Sequence, residues 1–542
     1  MAPTIIDRMK SPFAHGRATT APRLIASLFA ASFVLAGCGG GGGSPGVGAN
    51  PGQTGQNPPP TIPVTPTPPV TSTPPTAADL DPNTLGNAFT TYWNLCAKPR
   101  TGLDPDGRPF PDKQGTLLDE LKFLRAWSNE YYLWYNEIPN TYKMADFTNP
   151  IDYFNVLKTS ALTESGQPKD RYHFTYTTEE WEKLQSSGID LGYGVTWKRN
   201  SATAPRTWIV SLVEPGSPAA AAGLRRGDML TRVDGVDFVN ATGADAVNRI
   251  NAGLFPESAG SAHQFTLQRG GVPYDVTMTG AEVRVDPVKN VQVLDTPTGK
   301  VGYLSFETHN QVSEKELVDA FTTFQQAAVS DLVLDMRYNG GGLLYIASEL
   351  SYMVAGPDAT RGKIFERPLY NDKTALQPAI PFLSTAYGFS SPNPVRAGTP
   401  LPYLGLKRVT VLTTAGSCSA SEAVINGLRG ADIQVDVIGS QTCGKPYGFT
   451  PVPNCGTTYF SIEFKGANNK GFGDYADGLA PTCQVADDLS REIGDPAEGL
   501  LAAALAYRQT GICPPATRAR EVKMDIVRHP AKEISIYTRP RP

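Results

Sequence analysis

Three stretches of this chain repeat one grammar, a short apolar run, a turn rich in glycine or serine, then a new element, and they constrain the fold more than any other feature. Asp331-Leu-Val-Leu-Asp335 is a buried-strand run, followed by the turn Tyr338-Asn-Gly-Gly-Gly342 and a helical segment from Leu343 to Val354. Arg408 to Thr413 clusters Val409, Val411 and Leu412 as a strand does, and leads through Gly416-Ser-Cys-Ser-Ala-Ser-Glu422 into a helix, Ser421 to Leu428, that stops at Gly430. Ile433 to Ile438 is a β-branched run ending at Gly439, with Lys445 on the glycine-punctuated loop beyond. Neighbouring strands joined by one helix form right-handed crossovers, which makes them parallel and puts their carboxyl ends on one side. Open α/β sheets place their ligands at that edge.

The residues expected there form a chemical set. Ser419, on a strand-to-helix turn, offers a hydroxyl nucleophile, and Lys445, on the next loop, offers an amine base. Bare amides of a glycine turn near a helix N-terminus suit an oxyanion, which assigns that role to Gly341, with Gly342 as the alternative, together with Ala420. To accept a proton near neutral pH, Lys445 must be largely neutral, so its pKa must fall from about 10.4 through burial or a neighbouring cation. Each piece also has a plainer use, as an N-cap, a tight turn or a solvated charge; their occurrence together and in order carries the reading.

Histidine is a poorer base. Of the five, His15 lies in the leader, and among His173, His263, His309 and His529 only His309 follows a strand, Val301 to Phe306; it is expected at the surface. Ser417 and Ser421 stand where a Gly-x-Ser-x-Gly elbow needs glycine. A Cys418 nucleophile has no evident histidine partner.

Val301-Gly-Tyr-Leu-Ser-Phe306, Leu334-Asp-Met-Arg-Tyr-Asn-Gly-Gly-Gly342, Ser417-Cys-Ser-Ala-Ser-Glu422, Gly444-Lys445 and Asp477-Gly-Leu-Ala-Pro481 stand in the order seen in the C-terminal processing (tail-specific) serine-lysine peptidases, which this chain resembles from about Leu117 to Ala486. The resemblance implies an α/β multidomain protein. Its peptidase core would be a parallel or mixed β-sheet with crossover helices, ClpP/crotonase-like, cleaving peptide bonds with a Ser419-Lys445 dyad and needing neither cofactor nor metal. Two departures stand out. Phe449 replaces the glutamine that helps orient the lysine in the family, and the serine-to-lysine spacing is one residue longer than usual.

Gly192-Tyr193-Gly194-Val195, Val213-Glu-Pro-Gly-Ser-Pro-Ala219, Ala222-Gly-Leu-Arg-Arg-Gly-Asp-Met-Leu230 and Val233-Asp-Gly235 resemble a PDZ domain. Glycines of the first loop free successive N–H groups as a nest for a terminal carboxylate, and the strand from Val195 offers an edge for peptide addition. The resemblance implies protein or peptide substrates read by their C-termini. A non-catalytic PDZ peptide-binding protein on a peptidase scaffold is the alternative that Phe449 keeps open.

The first 37 residues carry Arg8, Lys10, Arg17 and Arg23, an apolar stretch from Leu24 to Leu35, then Ala36-Gly37-Cys38, the pattern of a lipoprotein signal peptide with Cys38 as the lipidated residue. Residues 38–79, rich in Gly, Pro and Thr, read as a tether. With Gly39 next, resemblance to bacterial lipoproteins implies a lipid-anchored protein of the outer membrane facing the periplasm. A net charge of -4 argues against nucleic acid as a partner. The expected units are the helical domain 80–187, the PDZ domain 188–284, the peptidase core 285–513 and a flexible basic tail 514–542. Apolar residues at helical spacing from Leu117 through Leu121, Leu124, Trp127 and Tyr131 read as helical core.

Six cysteines remain beyond Cys38, an even number that favours disulfides in an exported protein. Cys418 and Cys443 flank the two candidate turns and form the first expected pair. Cys455 with Cys483 and Cys96 with Cys513 are the expected complement.

Overall fold

A computed structural model describes residues 89–104, 107–389, 391–515 and 525–527. The leader, Cys38, the tether, His15 and His529 lie outside the described residues. Among the described residues no helix is long and apolar enough to cross a membrane.

The N-terminal region is built on α1 (Leu117–Tyr131). Its Thr116 hydroxyl accepts from the Asp119 N–H while the Asp119 carboxylate accepts from the Thr116 N–H, a reciprocal cap. The buried stripe of α1 meets α2 (Pro150–Val156), where the rings of Phe123, Trp127 and Phe154 stack in a row 6.3 and 6.0 Å apart. Removing a buried ring such as Trp127 costs about 3–5 kcal/mol. Strand β1 (Phe174–Thr177) and α3 (Thr178–Ser187) follow, and Gly188, at φ 65°, ends α3 in the left-handed conformation.

The next unit is a small antiparallel β module. Strands β2 (Ile189–Gly192) and β8 (Ala281–Arg284) pair with each other. β3 (Val195–Arg199), β4 (Trp208–Val213), β5 (Met229–Val233), β6 (Ala262–Arg269) and β7 (Val272–Thr279) form one sheet in the order β7-β6-β5-β4-β3. Alternate residues, Trp208 and Val210, Phe265 and Leu267, point inward and are sealed by Ile250 and Leu254 of helix α4 (Ala244–Leu254).

The core sheet runs β9-β10-β11-β12-β13-β14, from β9 (Val288–Thr296), β10 (Gly299–Phe306), β11 (Asp331–Asp335), β12 (Arg408–Thr413), β13 (Gln434–Gly439) and β14 (Cys483–Gln484). β9 is antiparallel to β10; every other pair is parallel. Both faces are covered, so β11 is buried at every residue, as its unbroken apolar run requires. Leu332, Leu334, Val409 and Val411 face α5 (Ser313–Gln326), α6 (Leu344–Thr360) and α7 (Ala420–Gly430). Val333, Leu412 and Ile438 face α8 (Gly499–Thr510).

Several expectations need correction. α6 continues beyond Val354 through a break at Gly356, φ 71°, because Pro357 is tolerated at the start of a new helical segment. α8 is capped at its start, where the Glu498 carboxylate accepts from the Leu501 N–H. The disulfides beyond Cys418–Cys443 are Cys96–Cys455 and Cys483–Cys513, not Cys96–Cys513 and Cys455–Cys483. Cys455 is brought beside Cys96 because β1 pairs with the strand Thr457–Phe460, while Trp93 Nε1 and Asn94 N bond Pro453 O and Asn454 Oδ1. The N-terminal region is thereby sewn onto the core. The tail, expected to be flexible, contributes a strand: β15 (Asp525–Val527) pairs antiparallel with β3 and extends the order of that sheet to β7-β6-β5-β4-β3-β15.

Candidate active site

The glycine turn after β11 is fixed from below by charge. The buried Arg337 guanidinium bonds Asp335 and Glu498, with Nη2 2.6 Å from Asp335 Oδ2 and 2.9 Å from Glu498 Oε2. A buried cation is tolerable only with such partners. From above, Asn339 binds it to the serine turn: its carbonyl accepts from the Cys418 N–H and the Ser421 hydroxyl, both at 3.0 Å. Its side chain donates to Phe306 O and accepts from the Gly341 N–H, each at 2.9 Å.

Ser419 sits where β12 turns into α7, at φ 63° and ψ -115°, a conformation costly for a residue with a side chain and found mainly where the surroundings enforce it. A Cβ placed on Gly341 would lie 2.7 Å from Ser419 Cβ, so this approach requires glycine. The Ser419 hydroxyl is buried and has no hydrogen-bond partner among the described residues. Ala420 is the first residue of α7, a position whose N–H has no acceptor within the helix.

Lys445 lies on the loop after β13, held beside Ser419 by Glu422. Oε2 of Glu422 accepts from the backbone N–H groups of Ser419 and Lys445 at 2.9 and 2.8 Å, and Oε1 accepts from Gly444 N and the Thr442 hydroxyl at 2.8 and 2.5 Å. Burial raises the Glu422 carboxyl above its ordinary pKa, against the opposing pull of these donors. The Cys418–Cys443 disulfide joins the same two turns, Cα to Cα 5.2 Å. A third tie comes from the N-terminal region, where Tyr172 Oη donates to Gly444 O at 2.9 Å and Arg171 to Cys443 O at 2.8 Å.

The Lys445 side chain is 1% exposed, with Nζ 4.4 Å from the Phe449 ring centre and 4.9 Å from that of Tyr172. Phe449, which stands in place of the family's glutamine, packs against Phe174 and Phe460 as well. Glu422, Asn339 and Tyr172 carry most of the positioning, yet the sequence reading gave none of them a role. The signal for Glu422 was present, since Ser419-x-x-Glu422 has capping-box spacing.

His309 is not at the surface. It is fully buried under the glycine turn, where burial lowers its pKa to about 3, so the ring is neutral. Nδ1 lies 3.1 Å from Asn339 Oδ1, which only accepts, so Nδ1 carries the proton and the imidazole props the turn. Cys418, Glu422 and Cys443 place ligand atoms within 4.8 Å of one another, but two of the three are disulfide sulfurs and offer no thiolate to a metal.

The expected carboxylate loop sits across a cleft of about 290 Å³ whose lining runs from Gly192, Gly194 and Val195 to Gly340, Gly341 and Gly342. Tyr193 contributes its backbone alone, because its ring packs on Phe265 and its hydroxyl donates to Gly253 O at 2.8 Å inside the β module. Asp487 joins the two units. It accepts from Lys198 and Arg226 of the module and from Arg337 and Tyr338 of the glycine turn, at 2.6, 2.7, 3.1 and 2.5 Å.

Sequence profiles match three segments: peptidase family S41 at residues 300–470, the PDZ domain at 183–253 and the peptidase S41 N-terminal domain at 121–176. The chain is similar to a "Probable CtpA-like serine protease" of Staphylococcus aureus (strain MRSA252), 25% identical over 319 residues, 57% of this chain and 56% of that protein. It is also similar to the "C-terminal processing peptidase, chloroplastic" of Tetradesmus obliquus, 28% identical over 249 residues, 44% of this chain and 47% of that protein. The chain thus matches about half the length of these curated relatives. A crystal structure titled "Putative S41 protease" from Bacteroides fragilis superposes with a TM-score of 0.56 at 26% identity, covering 72% of this chain and 98% of that one.

Proposed function

This chain carries an S41 peptidase domain behind S41 N-terminal and PDZ domains, and from that premise we propose that it is a serine-type endopeptidase working through Ser419 and Lys445. The observation that carries the reading is the Glu422 oxygen shared by the backbones of both residues.

In the proposed reaction Lys445 Nζ takes the Ser419 proton as Oγ attacks a peptide carbonyl, and the proton passes on to the leaving amine. Water then hydrolyses the acyl-enzyme and frees Ser419. The developing oxyanion is held by the Ala420 N–H and a glycine amide. Gly341, the first expectation, has its N–H on Asn339; among the described residues the Gly342 N–H has no partner, which favours the alternative assignment. Substrates are proteins captured by their C-termini at the Gly192–Val195 loop and β3. Lipid anchoring through Cys38 and an envelope location belong to the proposal on the leader sequence alone.

The second reading, a peptide-binding protein without activity, is favoured by Phe449 beside Lys445 and by the unbonded Ser419 hydroxyl. A fluorophosphonate probe separates the two. Labelling of the wild type and not of Ser419→Ala supports the peptidase; absence of labelling in the wild type supports the binding protein.

A further inference from the structure

The peptide-adding edge of the β module is already taken. β3 follows the Gly192–Val195 loop, and an added strand would pair along its outer edge. β15 lies there instead, with Asp525 opposite Arg199, Ile526 opposite Lys198 and Val527 opposite Trp197. Its antiparallel direction carries the chain toward the carboxylate loop, as a substrate C-terminus would have to run.

Ile526 makes the contact more than a backbone pairing. It is 7% exposed and shares an apolar cluster with Tyr338 of the glycine turn and Leu212 of β4. A Cβ placed on Gly416, in the serine turn, would lie 3.4 Å from its Cγ1. It also lines the cleft between Val195 and Gly341. One side chain from the tail therefore wedges among the β module, the glycine turn and the serine turn. In this same arrangement the Ser419 hydroxyl is unbonded and the Gly341 N–H is spent on Asn339.

We infer that Asp525–Val527 is a built-in competitor for the peptide edge, displaced when an extended peptide with a free C-terminal carboxylate binds. This rests on the reading that the edge receives substrates. The segment is internal to the chain, so it supplies strand pairing and an apolar anchor but no terminal carboxylate for the loop. A substrate supplies all three, whereas a tethered segment holds the site only through its high effective concentration.

The test uses the full chain carrying Ser419→Ala, so that nothing is cleaved, with and without Ile526→Asp, and as a second variant the chain ending at residue 520. Hydrogen exchange at Val195–Arg199 and affinity for a fluorescein-labelled decapeptide with an apolar, free C-terminus are measured. Weakening or removing the segment is expected to speed exchange along β3 and to tighten peptide binding about tenfold or more. Added peptide should restore the protection. Unchanged exchange, or equal peptide affinity in all three chains, overturns the competitor while leaving C-terminal recognition standing. Peptide binding to none of them overturns that recognition and the competition together.

Discussion

Ser419 and Lys445 hang their backbones on a single atom, Oε2 of Glu422, which their N–H groups reach at 2.9 and 2.8 Å. The two turns are thus registered to each other by a buried carboxylate. Glu422→Ala strands three buried N–H groups and is expected to cost about 3 kcal/mol in urea unfolding. Glu422→Gln, which keeps an acceptor in place, should cost less. Equal stability of Glu422→Ala and the wild type would show that the carboxylate is not what holds the turns.

The Cys418–Cys443 bond closes a loop between residues 25 apart across the same turns. Replacing both cysteines with serine is expected to lower stability by about 3 kcal/mol, through the restored freedom of the unfolded loop. Non-reducing peptide mapping should also recover Cys96–Cys455 and Cys483–Cys513. Recovery of Cys96–Cys513 instead would contradict the pairing of β1 with Thr457–Phe460.

Much of this was legible from residue order. Asp331-Leu-Val-Leu-Asp335 could be read as a strand because a parallel strand covered on both faces keeps an apolar interior, and Arg408–Thr413 because it alternates and clusters Val409, Val411 and Leu412. Crossover handedness then fixed which edge their turns share. What escaped depends on contacts distant in sequence. Nothing near Cys96 announces Cys455, and nothing near His309 announces that a glycine turn will close over it. Tyr172 reaches Gly444 only because the N-terminal region is sewn to the core. The Asp525–Val527 pairing is too short to stand out against a basic tail, and it exists only because β3 offers an edge.

Glu463 gives a pH dependence with a definite sign. Burial pushes its carboxyl up to about 8, with Thr450 the donor that opposes the shift and Oε1 left without a partner among the described residues. Between the ordinary value near 4.3 and about 8 the folded state binds more protons than the unfolded one, so stability falls as pH rises through that window. The slope from this group is at most about 1.4 kcal/mol per pH unit. Glu463→Gln should flatten the decline seen in urea titrations between pH 6 and 8.5; an unaltered decline would place its origin elsewhere.

Asp487 acts in the opposite direction. Burial alone would raise its carboxyl, but Lys198, Arg226 and Arg337 outweigh that and hold it well below the carboxylate range. Its stabilisation is therefore complete above the ordinary pKa of about 3.9 and is lost as pH falls below it toward the folded value. Asp487→Asn should reduce the acid sensitivity of unfolding and cost about 3 kcal/mol at neutral pH by leaving buried cations short of a partner. Faster hydrogen exchange at both Lys198 and Tyr338 would show that one residue links the β module to the glycine turn.

Catalysis by the paired turns is tested most directly by turnover of a protein with a C-terminal peptide tag, compared among wild type, Ser419→Ala and Lys445→Ala, with each chain first shown to be folded. The account predicts cleavage by the wild type and a loss of at least about 10³-fold in each variant, the scale expected when a nucleophile or its base is removed. Wild-type turnover in Lys445→Ala would contradict it.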